Sequence, residues 1–251
     1  MTKIILHGCN GRMGQAITKL ACEDDSVEIV AGIDVIEHID NSYPVYKDIG
    51  ECRERADVIV DFASAKAIDK LLDYVSETHI PVVVCTTGLS DEQKLRLEEI
   101  SKETSVLVSA NMSLGINVLF KVLNSISARL SDAGYDIEIV EKHHNQKLDA
   151  PSGTALALAD VINKSMDDKF TYTYDRSMKR QKRENNEIGI SAIRGGSIVG
   201  DHEVIFAGQD EEIIIKHTAH SRNVFAKGAI EAGKFLATTD KGMYSMQDVV
   251  G

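Results

Sequence analysis

Apolar positions follow two different periods along the first 110 residues. Residues 3–7, 28–33, 57–61, 81–85 and 106–109 form short runs rich in valine and isoleucine, and D-V-I-V-D and P-V-V-V-C are apolar on both faces. Strands of that kind belong in a parallel sheet covered by helices on both sides. Residues 12–22, 65–77 and 91–102 carry apolar side chains at helical spacing between them. This strand–helix alternation predicts an α/β fold with a doubly wound parallel sheet.

Beyond residue 115 the pattern changes. A long amphipathic helix is expected over 116–130, a strand over 135–141, a polar segment over 142–149 and a helix over 152–164. Residues 187–194, 202–207 and 211–218 read as strands, and Gly208-Gln209-Asp210 joins the last two as an antiparallel hairpin. Residues 170–187 are charge-mixed, with Lys179, Arg180, Lys182 and Arg183 expected on a solvated loop or helix face. A final helix spans 224–236. The expected organisation is one domain made of residues 1–114 and 223–251, with a mixed α/β domain, 115–222, inserted into it.

Composition narrows the function. The 251 residues are 43% hydrophobic and 27% charged, as in a soluble globular protein, and the net charge of −11 disfavours nucleic acid as a partner. No run approaches the ~18–20 apolar residues of a membrane span. The first strand meets a glycine loop at once, so no signal peptide is expected. Cys9, Cys22, Cys52 and Cys85 include no C-x-x-C pair, which suits reduced thiols, a cytoplasmic protein and no metal site.

Gly8-Cys9-Asn10-Gly11-Arg12-Met13-Gly14 lies between the first strand and first helix. Glycines there let the backbone approach a pyrophosphate, whose charge the helix N-terminus favours. Asp34, at the end of the second strand, is placed to accept hydrogen bonds from the adenine ribose. Together they predict a Rossmann-type dinucleotide-binding domain. Val35 and Ile36 offer no cation for a 2′-phosphate, so NADH is expected to bind at least as well as NADPH. Cys85-Thr86-Thr87 and Ser109-Ala110-Asn111-Met112 end later strands, at the edge where such sheets bind ligands.

The chemistry concentrates in Glu141-Lys142-His143-His144-Asn145-Gln146-Lys147-Leu148-Asp149-Ala150-Pro151-Ser152-Gly153-Thr154-Ala155. Hydride reduction of a conjugated imine or alkene leaves negative charge that a proton donor must quench, and histidine or lysine suits that role. Ser152-Gly153-Thr154 opens a helix whose amides form a carboxylate cradle. A semialdehyde dehydrogenase would need a nucleophilic cysteine in its catalytic domain, and none follows Cys85.

This segment resembles the signature of the 4-hydroxy-tetrahydrodipicolinate reductase (dihydrodipicolinate reductase) family: a histidine pair, a lysine, then D-A-P-S-G-T-A. The glycine loop with Arg12-Met13, the T-T-G turn, the S-A-N segment with Gly115-x-Asn117, and Arg194-Gly195-Gly196-x-x-x-Gly200-x-His202 are also similar to it. The resemblance implies NAD(P)H-dependent reduction of a cyclic dicarboxylate in lysine and diaminopimelate biosynthesis. It implies proton donation by His143 and Lys147, and carboxylate binding by His144, Gly153 and Thr154. Gly8, Cys9, Asn10, Gly11, Arg12, Met13, Asp34, Cys85, Thr86, Thr87, Ser109, Ala110, Asn111 and Met112 are implied at the cofactor. The inserted domain would bind substrate and build a homotetramer, with a hinge between domains. Family members often carry arginine at Val35, glycine at Cys85 and phenylalanine at Met112.

Overall fold

The computed structural model describes residues 1–36 and 39–251. The chain starts with β1 (Thr2–His7), α1 (Arg12–Ala21), β2 (Val27–Ile33), β3 (Val45–Tyr46), β4 (Val58–Asp61), α2 (Ile68–Thr78), β5 (Val82–Val84), α3 (Asp91–Ile100) and β6 (Ser105–Val108). It continues through α4 (Leu114–Asp132), β7 (Asp136–His143), α5 (Gly153–Lys164), β8 (Thr171–Tyr174), β9 (Glu187–Arg194), β10 (Gly200–Ala207) and β11 (Glu212–Ala219). It ends with α6 (Asn223–Leu236), β12 (Gly242–Tyr244) and α7 (Met246–Val249). Two compact units result, Met1–Asn117 with Arg222–Gly251, and Val118–Ser221.

In the first unit all seven strands are parallel, in the order β12-β6-β5-β4-β1-β2-β3. From β3 to β6 this is the 3-2-1-4-5-6 succession of doubly wound dinucleotide folds. Successive side chains along a strand point to opposite faces. Ile4, Leu6, Val58 and Val60 therefore pack with Ile17 of α1 and Ala229, Ile230 and Leu236 of α6. Ile5, Ile59, Val82 and Val84 face the other way, onto Leu71, Leu72 and Val75 of α2 and Leu97 of α3. Burying each such side chain contributes roughly 1.5–3 kcal/mol. Because the strands are parallel, the ends of β2, β1, β4, β5 and β6 share one sheet edge.

The second unit is a five-stranded mixed sheet, β11-β10-β7-β9-β8. β10 is antiparallel to β11 and β7, while β7, β9 and β8 are parallel. Ile137, Ile139, Ile188, Ile190, Val204 and Phe206 pack against Leu119 and Leu123 of α4 and Leu158 and Ile162 of α5. The hairpin expected at Gly208-Gln209-Asp210 is present, pairing Ala207 with Glu212.

Within residues 170–187, Lys179, Arg180 and Lys182 are exposed as expected, and Arg183 is the exception. β8 pairs with β9 and buries Thr173. Arg176 pairs with the buried Glu187, while Arg183 bridges Asp136 at 3.0 Å and Glu138. The buried Glu187 carboxylate needs a cation beside it, which Arg176 supplies, and of the basic cluster only Arg183 is drawn onto the sheet, by Asp136 and Glu138. β3 and β12, two short edge strands, also lacked a period long enough to detect.

Candidate active site

The first unit gathers its polar groups along the carboxyl edge of its sheet. Gly8 sits at φ +81°, and a Cβ there would lie 2.8 Å from backbone atoms of Phe62. Gly14 is packed more tightly still: its Cβ would lie 2.3 Å from the Gly8 carbonyl oxygen. Gly11 caps α1 without a side-chain hydrogen bond, and the first turn of that helix has no acidic residue. Its amides thus face the loop without a competing anion, as pyrophosphate binding requires. Asp34 accepts hydrogen bonds from the amides of Asn10 (2.9 Å) and Ile36 (3.0 Å), which hold the carboxylate beside the loop.

Gly8, Gly11 and Asp34 line a cavity of about 470 Å³. Three lysines that spacing did not reveal share it: Lys47, which follows β3, and Lys66 and Lys70, around the start of α2. Lys70 pairs with Asp48 at 2.5 Å. His7 also lines the cavity, and its Nδ1 lies 2.8 Å from the buried Asp61.

The other expected cofactor residues divide by orientation. Cys9 is fully buried, and burial aided by the charge of Asp34 pushes its thiol up to about 12, so only its backbone can face a ligand. Asn10 braces the loop, donating to the Ile36 carbonyl and accepting from Asn41. Arg12 is exposed, and Met13 packs partly against the core. Cys85 is buried with its thiol raised, by burial first and by Asp61 second. Thr86 is buried with no partner for Oγ1 among the described residues, whereas Thr87 is exposed. Ser109 and Asn111 bond each other and Ala110 is exposed. Met112 is buried against α6.

In the second unit, Glu141 and His143 occupy the inward positions of β7 after Ile137 and Ile139. Glu141 is fully buried. One of its oxygens accepts from His143 Nδ1 (2.6 Å) and Arg194 (2.7 Å); the other accepts from Arg194 (2.6 Å) and the Ser152 amide (2.9 Å). Burial works to raise the Glu141 carboxyl, but the bonds from Arg194, His143 and Ser152 outweigh it and hold the group below its ordinary value. The Ser152 hydroxyl accepts from the Ala155 amide as the N-cap of α5 and lies 3.0 Å from His202 Nε2. His202 meets His143 edge to face, with ring centroids 5.1 Å apart. Burial first, then the neighbouring His143, push His202 down to about 4.

Lys147 pairs with Asp149 at 2.8 Å, and that bond, with help from the Gly153 amide, lowers the Asp149 carboxyl. His144 and Thr154 are half-buried, and Gly153, the first residue of α5, is exposed. The Gly195 amide donates to the His143 carbonyl, and the Asn145 amide to that of Gly196. Glu141, Arg194 and His202 are thus the members that the reading of single residues passed over. The signal for Glu141 was available, as a carboxylate at an inward position of an otherwise apolar alternation.

A 3-2-1-4-5-6 parallel sheet, with a glycine turn at β1 and an acid at β2, defines a Rossmann-type dinucleotide-binding protein. Two family descriptions match nearly the whole chain: "Dihydrodipicolinate reductase, N-terminus" over residues 2–112 and "Dihydrodipicolinate reductase, C-terminus" over 115–250. The chain belongs to the dihydrodipicolinate reductase family. It is 51% identical to the 4-hydroxy-tetrahydrodipicolinate reductase of Caldanaerobacter subterraneus subsp. tengcongensis, and equally to that of Clostridium novyi. Each alignment covers 100% of this chain and 98% of the relative. A dipicolinate-bound dihydrodipicolinate reductase from Paenisporosarcina sp. TG-14 shares the fold, with a TM-score of 0.82 over 99% of both chains at 22% identity. Among the described residues no helix is long and apolar enough to cross a membrane.

Proposed function

We propose that this chain reduces 4-hydroxy-tetrahydrodipicolinate to tetrahydrodipicolinate with NADH or NADPH, as a cytoplasmic homotetramer in the diaminopimelate route to lysine. The observation that carries the site assignment is the hydrogen-bonded group Glu141–His143–Arg194 beside the N-cap of α5. It joins a titratable ring to a helix start suited to a carboxylate.

Residues 1–114 and 223–251 form the cofactor domain in this proposal, and 115–222 the substrate and oligomerisation domain. The tight Gly8–Gly14 turn, its uncapped helix and Asp34 fit a dinucleotide. The turn holds the pyrophosphate and Asp34 the ribose, while Thr86, Thr87 and Ser109 to Met112 border the nicotinamide. The bound dihydronicotinamide supplies a hydride. His143 and Lys147 are the proton donors to the substrate, and His144, Gly153 and Thr154 hold its carboxylates. Asp34 favours NADH at least equally, and Lys47 and Lys66 keep NADPH usable by placing positive charge on the same cavity.

The test is loss of NADH and NADPH absorbance with freshly made cyclic substrate, in the parent and in His143→Gln and Lys147→Ala. Turnover in the parent and losses of ~10²–10⁴-fold in the variants are expected of proton donors. Near-normal turnover in both variants refutes the assignment.

A further inference from the structure

Four donors from three places in the fold converge on one carboxylate that has no exposure to solvent. His143 comes from β7, Arg194 from β9 and the Ser152 amide from the cap of α5. A buried ion pair is poor evidence for a stabilising role, since apolar packing does that work equally well. Ile137 and Ile139 on the same strand face show that this core accepts apolar residues. The carboxylate therefore invites an explanation in terms of what it orients.

We propose that Glu141 is a positioning residue for the reduction: it fixes the tautomer and aim of His143 and ties that ring to the head of α5. The inference rests on the assignment of His143 as a proton donor. A carboxylate only accepts, so the 2.6 Å contact places a proton on Nδ1 of His143 and leaves Nε2 as the nitrogen that exchanges protons. At Nε2 the neighbouring strand presents Gly200, where even a Cβ would lie 3.2 Å away. The second oxygen of Glu141 holds the Ser152 amide, and Arg194 reaches on to the Asp149 carbonyl at 2.6 Å. Donor and carboxylate cradle are thus referred to the same buried group. Besides Glu141 and Arg194, the titratable groups near this ring are His202, with His217 and Asp201 behind it.

Glu141→Gln is nearly isosteric and gives a definite expectation. The Ser152 amide and Arg194 can only donate, so the glutamine oxygen turns toward the Ser152 amide and one Arg194 nitrogen, while its NH₂ faces His143 Nδ1 and gives up the second Arg194 bond. The ring then has to present a lone pair at Nδ1 and carry its proton on Nε2. Nitrogen-15 spectra of histidine-labelled protein report this directly, with the His143 signals assigned by their loss in His143→Gln. The parent is expected to show Nδ1–H in the neutral ring and Glu141→Gln to show Nε2–H. Turnover in Glu141→Gln is expected to fall by roughly 10²–10⁴-fold, the range for a lost general acid, with the upper end that of an imidazole held in the wrong tautomer. The dissociation constant of pyridine-2,6-dicarboxylate is expected to stay within about threefold, because the oxygen facing Ser152 is retained.

An Nε2–H tautomer in the parent overturns the inference without recourse to any variant. So does turnover in Glu141→Gln within threefold of the parent, or an equal collapse of turnover and dicarboxylate binding, which marks a merely structural role. Slow His143→Gln beside fast Glu141→Gln leaves the proton-donor assignment standing and removes only this inference. Fast turnover in both removes the two together.

Discussion

Replacing Gly14 by alanine is expected to weaken cofactor binding and stability together. The added Cβ would lie 2.3 Å from the Gly8 carbonyl oxygen and 2.4 Å from that of Cys9, both backbone atoms that cannot swing aside as a side chain would. Real Cβ contacts hardly ever fall below 3.0 Å, so the loop has to retreat by about 0.7 Å from α1. Overpacking of this kind costs ~1–3 kcal/mol, and at ~2–4 °C per kcal/mol for a domain of this size the melting temperature drops by roughly 2–12 °C. The same retreat draws loop amides away from the proposed pyrophosphate position. Losing one charge-assisted hydrogen bond of ~1.5–3 kcal/mol weakens NADH binding by roughly 10- to 100-fold. Thermal melts and NADH fluorescence titrations measure both effects. Gly195→Ala is the control, since its Cβ meets open space. A Gly14→Ala protein that melts with the parent and binds NADH within twofold refutes the packing argument.

Asp34→Ala is expected to raise KM for NADH about tenfold while leaving KM for NADPH within threefold, because it removes the proposed ribose acceptor and a charge that would oppose a 2′-phosphate; parallel loss for both cofactors in steady-state assays would contradict this. Asp149→Asn weakens the internal partner of Lys147, and since exposed pairs contribute little, the substrate KM is expected to fall only two- to fivefold. A rise in KM would show that Asp149 assists binding. His202 carries a pH signature. Its pKa is about 4 in the fold against ~6.5 unfolded, so as pH falls the unfolded chain takes up the proton first. Its contribution is full above pH ~6.5 and is lost progressively down to about 4, amounting to about 2 kcal/mol between pH 7 and 5. Urea denaturation of His202→Gln at the two pH values is expected to show a correspondingly smaller decline than the parent, and an unchanged decline would refute it.

The parallel sheet was legible because its strands are apolar on both faces and its helices keep a clean period. The inserted sheet was legible through β10 and β11, whose turn residues announce a hairpin. β3 and β12 have only two and three residues, and a period-two signal does not exist over so short a span. In the site, the glycine turn, Asp34 and the His143–Thr154 segment stood out because neighbours in sequence remain neighbours in space. Lys47 and Lys66 did not, and Arg194 and His202 were marked only by the family motif, because strand order rather than sequence proximity brings β9 and β10 beside β7. The thiols of Cys9 and Cys85 mark another boundary. Adjacency to a glycine loop says which backbone is near it, whereas packing decides which side chain turns into the core, as Cys9 does after β1 and Cys85 just past β5.

The return of the chain to its first unit has a consequence for synthesis. Ala226, Ala229, Ile230, Ala232 and Leu236 of α6 and Met246 of α7 complete one face of the seven-stranded sheet, and β12 covers its β6 edge. A nascent chain emerging from the ribosome therefore exposes Ile4, Leu6, Val58 and Val60 until more than 220 residues have been made. The inserted unit, contiguous in sequence, can fold while that apolar face waits. Premature termination before α6 leaves a sticky half-sandwich, a natural client for chaperones that shield hydrophobic surface.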